Sequence, residues 1–356
     1  MGLEGRLLIY GASGYTGRLI AQAAIERGLE PVLCGRDPGR LQAIAERFGL
    51  EHRVASLEDE ATLDAALDDV DALLNAAGPF SQTAQPIVEA CLRTRTHYLD
   101  VTGEVDVMEA LSQRDRAARA REVMILPGVG FDVVPSDCLA AHVSRHAPDA
   151  TWLALGVRGL VHVTRGSYRT LVEQAGRPVR IRRDGRLVSV LPGSLRRHFD
   201  YGDAPRESVA VSWGDVVSAW HTTGIPNIEV YFDAAPAMVG MLTAGRLFGG
   251  LLRTRTARVL LKAQAELLPE GPTAGQRDAH EAVIVAEAGD RTGRIASARL
   301  ETPEAYSFTG QTAAAVAERV LRGEWRSGFR TPASLFGADF VTTLPGVRRS
   351  DVERVH

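Results

Sequence analysis

The chain has 356 residues, 45% of them apolar and 24% charged, and a formal net charge of -3. That length implies two domains with ample material for buried cores, and the near-neutral charge, with no basic tail and Lys262 as the single lysine, argues against nucleic acid as a partner. Cys34, Cys91 and Cys138 are too few and too scattered for a disulfide framework or a zinc cluster, so no metal and a reducing, cytoplasmic setting are expected; the first residues show no signal-peptide pattern.

The first third alternates strand and helix. Leu7–Tyr10 reads as a short buried strand. Gly11-Ala12-Ser13-Gly14-Tyr15-Thr16-Gly17 follows it and opens a helical pattern over Tyr15–Arg27. Strand, glycine turn and helix in this order bring backbone N–H groups onto a dinucleotide pyrophosphate. Gly11, Ser13, Gly14, Tyr15, Thr16 and Gly17 are therefore the expected cofactor contacts. Gly28 suits the end of that helix. Pro31–Cys34 is the second strand, and Asp37-Pro38 starts the next helix with Asp as N-cap and Pro in the first turn. Further strands are expected at Arg53–Ala55, Ala72–Asn75, His97–Asp100 and Met124–Leu126, with helices at Glu58–Leu67, Thr83–Arg93 and Glu104–Arg121. This alternation implies an α/β fold with a doubly wound parallel sheet of the Rossmann kind.

After Pro127–Asp132 the texture changes. Pro135–His146 still reads as helix, but Trp152–Arg158, Val161–Val163, Ser208–Trp213, Val216–Trp220 and Ile228–Phe232 look extended. Asp184-Gly185 within Val179–Val190 signals a hairpin, and His280–Ala286 with Arg294–Leu300 makes another. A second α+β domain with a mostly antiparallel sheet follows. The expected boundaries are 1–135, 136–305 and 306–356, the last returning to the first domain through a helix capped by Thr309. Ala234–Leu252 is largely apolar but is interrupted by Arg246 and barely matches a bilayer in length. It reads as a buried or subunit-interface helix, with peripheral membrane contact the lesser alternative.

Strand two ends Cys34-Gly35-Arg36-Asp37. Arg36 stands where a ribose 2′-phosphate needs a planar, bidentate cation, while Asp37 is already explained by helix capping; NADP is favoured over NAD. Ser56 could border the adenine. Asn75-Ala76-Ala77-Gly78-Pro79-Phe80 follows strand four, where small residues allow close approach of the cofactor. For chemistry, the densest polar stretch is His97–Glu104 at the carboxyl end of a parallel strand, where ligands bind in such sheets. Alternation puts Tyr98 and Asp100 on one side, and these are the expected proton carriers. Phe131 and Asp132 lie in a glycine- and proline-rich crossover and are expected beside the substrate.

Gly11–Gly17, Asn75–Phe80, His97–Glu104, Gly130–Asp137 and Gly328–Gly337 together resemble the saccharopine-dehydrogenase-like oxidoreductases, most closely the subgroup that includes trans-acting enoyl reductases. The resemblance implies an NADP-binding Rossmann domain, an inserted substrate domain and a homodimer through the second sheet. It implies a small-molecule or carrier-bound substrate reduced at an electron-poor C=C or C=N bond. Saccharopine-type oxidation of an amino acid or secondary amine, and a non-catalytic dinucleotide-binding protein, remain as alternatives. Where the subgroup has a turn of small residues, this chain has Tyr168 and Arg169, which become candidate substrate contacts.

Overall fold

The computed structural model describes residues 5–234 and 254–355, with positions 240, 243 and 250 between them. The chain forms two contact units: Met1–Asp132 with Tyr306–Leu335, and Val133–Ala305 with Phe336–His356. The final segment, 336–356, therefore groups with the second unit and not with the first.

The first unit is built on a seven-stranded parallel sheet. Its strands are β1 (Leu7–Tyr10), β2 (Val32–Gly35), β3 (His52–Val54), β4 (Ala72–Asn75), β5 (His97–Asp100) and β6 (Met124–Leu126), completed by Gly328–Phe329 from late in the chain. The order is Gly328–Phe329, β6, β5, β4, β1, β2, β3. The order in which successive strands are added reverses between β1 and β4, which opens a crevice at their carboxyl ends. Helices α1 (Tyr15–Glu26), α2 (Pro38–Phe48), α3 (Glu60–Ala66) and α4 (Phe80–Thr94) connect the strands. All residues of β1, β2, β4, β5 and β6 are buried, as expected for a sheet covered on both faces. Leu8, Val32, Leu73, Tyr98 and Ile125 anchor its main core with Ile87 and Val88 of α4. Phe329 enters that core, and its N–H donates to Asp115 Oδ1 at 2.9 Å.

The expected helix Glu104–Arg121 is two helices, α5 (Val105–Ser112) and α6 (Asp115–Ala120). The Ser112 hydroxyl takes the Glu109 carbonyl and competes with the backbone ladder at the break. Thr309 does not cap a helix. That helix runs Ala305–Leu321, and Thr309 lies within it, its hydroxyl accepting from Phe131 N at 3.1 Å.

The second unit holds a mixed ten-stranded sheet. After α7 (Val134–His146) come β7 (Trp152–Arg158), α8 (Arg165–Gln174), β8 (Val179–Arg183), β9 (Arg186–Val190), β10 (Arg196–Asp200), β11 (Pro205–Val211), α9 (Asp215–Thr223), β12 (Asn227–Asp233), β13 (Glu281–Gly289) and β14 (Ile295–Pro303). The long path runs β10, β11, β12, β7, β13, β14. Only the central pair β7 and β12 is parallel; the other described pairings of this sheet are antiparallel.

Two expectations fail here, and one strand goes unread, for local reasons. Val216–Trp220 is helical, inside α9, because Gly224 in the left-handed region closes a turn and Val216, Val217 and Ala219 are all buried; a short apolar run does not show its period. Val161–Val163 forms no strand, and both valines are exposed. β10 carries arginines and a histidine in place of β-branched residues, yet pairs with β11 across five positions and buries Phe199. The apolar stretch Ala234–Leu252 lies outside the described residues except at Ala234, Gly240, Thr243 and Gly250. Among the described residues, no helix is long and apolar enough to cross a membrane, and no three His, Cys, Asp or Glu side chains are placed to hold a metal.

Gly156 in β7 shows how tightly the second core is closed. A Cβ there would lie 2.7 Å from Phe199 Cγ and 2.9 Å from the Tyr201 hydroxyl. Gly156→Ala should therefore destabilise the protein by about 1–3 kcal/mol through overpacking. Chemical denaturation checks this; an unchanged midpoint would mean that the two rings move aside freely.

Candidate functional site

The carboxyl ends of β1 and β4 touch through glycine. Gly11 has φ +83, and a Cβ on it would sit 2.8 Å from both Ala77 Cβ and Ala77 N. Gly17 is as constrained: its Cβ would fall 2.3 Å from Gly11 O. The turn is held from β2, since Gly11 N and Ala12 N both donate to Cys34 O, at 2.8 and 3.2 Å. Gly14 is the N-cap of α1 and supplies no side-chain cap, and the N-terminal end of such a helix favours an anion. Ser13, Tyr15 and Thr16 are half-buried around it. Arg18, which sequence reading passed over, donates from its guanidinium to Ser13 O at 2.9 Å. Tyr15 packs edge-on against Tyr306, with ring centroids 5.6 Å apart.

Arg36 is exposed at the end of β2. Asp37 is occupied as the N-cap of α2, accepting from Arg40 N at 3.0 Å. Ser56 is half-buried after β3, where its hydroxyl accepts from Glu58 N at 3.3 Å.

The turn after β4 is built by polar bonds. Asn75 is fully buried; its amide oxygen accepts from Ala77 N at 3.0 Å and its amide nitrogen donates to Thr83 Oγ1 at 3.1 Å. Thr83 in turn donates to Ala77 O at 2.7 Å. Ala76, Ala77 and Pro79 are half-buried, Gly78 is exposed, and Phe80 packs on the first core. Glu104 closes this turn from outside: its two carboxylate oxygens accept from Phe80 N at 2.8 Å and Ser81 N at 3.2 Å.

Tyr98 and Asp100 share one side of β5, and the Tyr98 hydroxyl donates to Asp100 Oδ2 at 2.7 Å. Both are fully buried. Asp100 Oδ1 also accepts from Thr102 N and Gly128 N, each at 2.9 Å, and Asn75 Nδ2 lies 3.4 Å from the Tyr98 hydroxyl. Burial pushes the Asp100 carboxyl up to about 6 and the Tyr98 phenol well above its usual range. His97 faces the other way. Its Nδ1 accepts from Met124 N at 3.2 Å, its ring lies on Trp325, and burial pulls it down to about 4, so it stays neutral.

Phe131 is buried against Phe308, with centroids 6.4 Å apart; it offers no open packing surface. Asp132 is half-buried and lies on the Gly103 backbone, where a Cβ would be 2.9 Å from its Oδ2. Burial, then the charge of Glu104, pushes the Asp132 carboxyl up to about 7. A carboxyl near neutrality at the rim of a sheet can give and take a proton at ordinary pH. Tyr168 and Arg169 are half-buried on α8 of the second unit, and the Tyr168 hydroxyl donates to Gln264 Oε1 at 3.4 Å. Sequence reading passed over Thr83, whose single hydroxyl bridges the turn in both directions, and it left Glu104 unassigned although it lies in the polar stretch singled out there.

Residues 7–126 match the family model described as the saccharopine dehydrogenase NADP binding domain. A trans-acting enoyl reductase of Mycobacterium ulcerans is 30% identical over 154 residues, which cover 41% of this chain and 37% of that protein. A human saccharopine dehydrogenase-like oxidoreductase is 25% identical over 151 residues, covering 37% of this chain and 35% of that protein. The chain thus matches roughly a third of the length of these curated relatives. The L-Glu-forming saccharopine dehydrogenase of Saccharomyces cerevisiae aligns with 99% of this chain and all of its own, with a TM-score of 0.62 and 12% identity, a likeness of fold. Residues 7–126 are thus similar to a saccharopine dehydrogenase NADP-binding domain, within a fold like that of saccharopine dehydrogenase.

Proposed function

We propose that this protein is an NADPH-dependent reductase that reduces an electron-poor C=C or C=N bond of a small-molecule or carrier-bound substrate. The observation that carries the reading is the cradle at Gly11 and Gly17, which a Cβ would fill, at the sheet's reversal point. It fits the pyrophosphate of a dinucleotide. When bound, the reduced nicotinamide supplies the hydride. Everything else falls to the chain. Gly11, Ser13, Gly14, Tyr15, Thr16 and Gly17 would hold the pyrophosphate side, and Arg36 the 2′-phosphate. Ser56 would border the adenine, and the turn Asn75–Phe80 would line the path toward the nicotinamide.

Asp132 is our choice for the proton that must accompany hydride. It is partly open and its carboxyl sits near 7. Tyr98 and Asp100 are too deeply buried and too fully bonded to each other to reach a substrate atom, and we assign them to positioning the two flanking loops. Phe131, buried against Phe308, packs the crossover that carries Asp132. Tyr168 and Arg169 are retained as proposed substrate contacts. Buried, unpaired Cys34, Cys91 and Cys138 agree with a reducing compartment.

Arg36→Ala should weaken NADPH binding by about 10–100-fold, the loss of a charge-assisted contact, and leave NADH binding unchanged. Calorimetry with both coenzymes reads this; equal effects on the two would remove the phosphate role from Arg36, and no binding of either would end the reductase reading.

A screen of NADPH oxidation against enoyl thioesters and imines identifies the acceptor. With that acceptor, Asp132→Asn should lower kcat by about 100-fold or more with NADPH affinity kept. Because the protonated form acts, wild-type activity should fall as pH rises through about 7, and that limb should vanish in the variant.

Asp100 binds its proton more tightly folded than unfolded, so its stabilisation is full below the ordinary carboxylate range and is lost as pH rises through about 6. Asp100→Asn removes that ionisation: its amide oxygen can still accept from Thr102 N and Gly128 N, but its nitrogen donates where the Tyr98 hydroxyl had an acceptor, a cost that is the same at every pH. The variant should therefore gain on the wild type by about 2–3 kcal/mol between about pH 4 and pH 8, measured by denaturant unfolding at each pH.

A further inference from the structure

We propose that Glu104 is a positioning residue that joins the two halves of the site: one carboxylate closes the cofactor turn and also adds its negative charge to the surroundings of Asp132. Its catalytic consequence rests on the reading of Asp132 as proton donor; the coupling itself does not.

The geometry comes first. Helix α4 begins behind Pro79, which provides no side-chain cap. Its first N–H groups are instead met by Glu104, which is 7% exposed and reaches them from the loop after β5. Two backbone donors and the positive end of a helix favour the ionised form of such a carboxylate. Glu104 is itself held in place, its N–H donating to Thr102 Oγ1 at 3.1 Å. One residue earlier, Gly103 has no side chain, and Asp132 fills that space, with its Cβ 3.1 Å and its Oδ2 2.9 Å from where the glycine's Cβ would stand. Asp132 is thus brought against the residue next to Glu104 in the chain, and Glu104 is held by backbone donors.

Electrostatics follow from that arrangement. A second anion beside a fixed one is disfavoured, and Glu104 acts on Asp132 in the same direction as burial. The Glu104 charge is also felt by Asp100 of β5. The helix packed on this crossover presents the neutral Thr309 hydroxyl, which bonds Phe131 N. Because Glu104 also holds Phe80 N and Ser81 N, any movement of the Asn75–Phe80 turn changes how strongly that charge is neutralised. Occupancy of the turn and protonation of Asp132 are then linked, and the linkage is reciprocal.

The test uses the full chain, labelled with ¹³C at Asp and Glu carboxyls, titrated by NMR without cofactor. Asp132→Asn and Glu104→Gln assign the two resonances. In the wild type Asp132 should titrate near 7, and in Glu104→Gln its midpoint should fall by about one pH unit. An unchanged midpoint in a folded Glu104→Gln overturns the proposal. Should that variant fail to fold, Asp132→Asn decides: the Glu104 midpoint should fall by a similar amount, and no shift overturns the proposal equally. A shift of either resonance, together with full turnover in Asp132→Asn, would sustain the coupling and reject only the proton-donor reading.

Discussion

The carboxylate of Asp100 pins the carboxyl edge of the first sheet. Its side chain takes N–H groups from Thr102 and Gly128 and the hydroxyl of Tyr98, and its backbone carbonyl takes Val129 N at 2.7 Å. Tyr98 passes the chain of polar contacts to Asn75, and Asn75 passes it to Ala77. Ala77 is the residue against which Gly11 closes. Three loops at the crevice are therefore fixed by one buried polar network. Such a network is costly if any member is left unpaired and rigid when all are satisfied. Preorganised loops of this kind suit a site that must hold a dinucleotide without rearranging.

The acids of this region are arranged so that each has a different fate. Asp100 is enclosed and bonded on both oxygens. Glu104 faces the open end of a helix. Asp132 lies on bare glycine backbone at the rim. Their residue types are nearly the same, so environment alone separates their roles, which is the usual way in which one set of carboxyls serves structure, electrostatics and proton transfer. The buried thiols of Cys34 and Cys91, pushed up to about 12 and well above the usual range respectively, take no part in this chemistry; they pack the first core.

The alternating elements of the first unit, the glycine turn and the capping role of Asp37 were legible because each is a local signal. A strand of four apolar residues, a glycine at positive φ and an Asp before Pro act over a few residues of chain. The second unit was read less well where local preference and tertiary demand part. Val216 and Val217 are good strand formers, yet they lie in a helix because burial all round satisfies them there. The arginines of β10 sit in a strand because Arg197 lies over the Trp152 ring and pairs with Glu287.

By itself the sequence determined the parallel sheet, the place of the glycine turn and the presence of an unusual polar stretch at His97–Glu104. Only the tertiary structure decided which members of that stretch face inward. Tyr98 and Asp100 alternate correctly to share a side, but the side they share is the interior, since the covering helices bury both faces of the sheet. The partner of Glu104 lies 24 residues back along the chain, and Asp132 meets Gly103 only once β5 and β6 are paired. Burial and contacts between distant residues set proton affinity, and no spacing within a single stretch of chain encodes either.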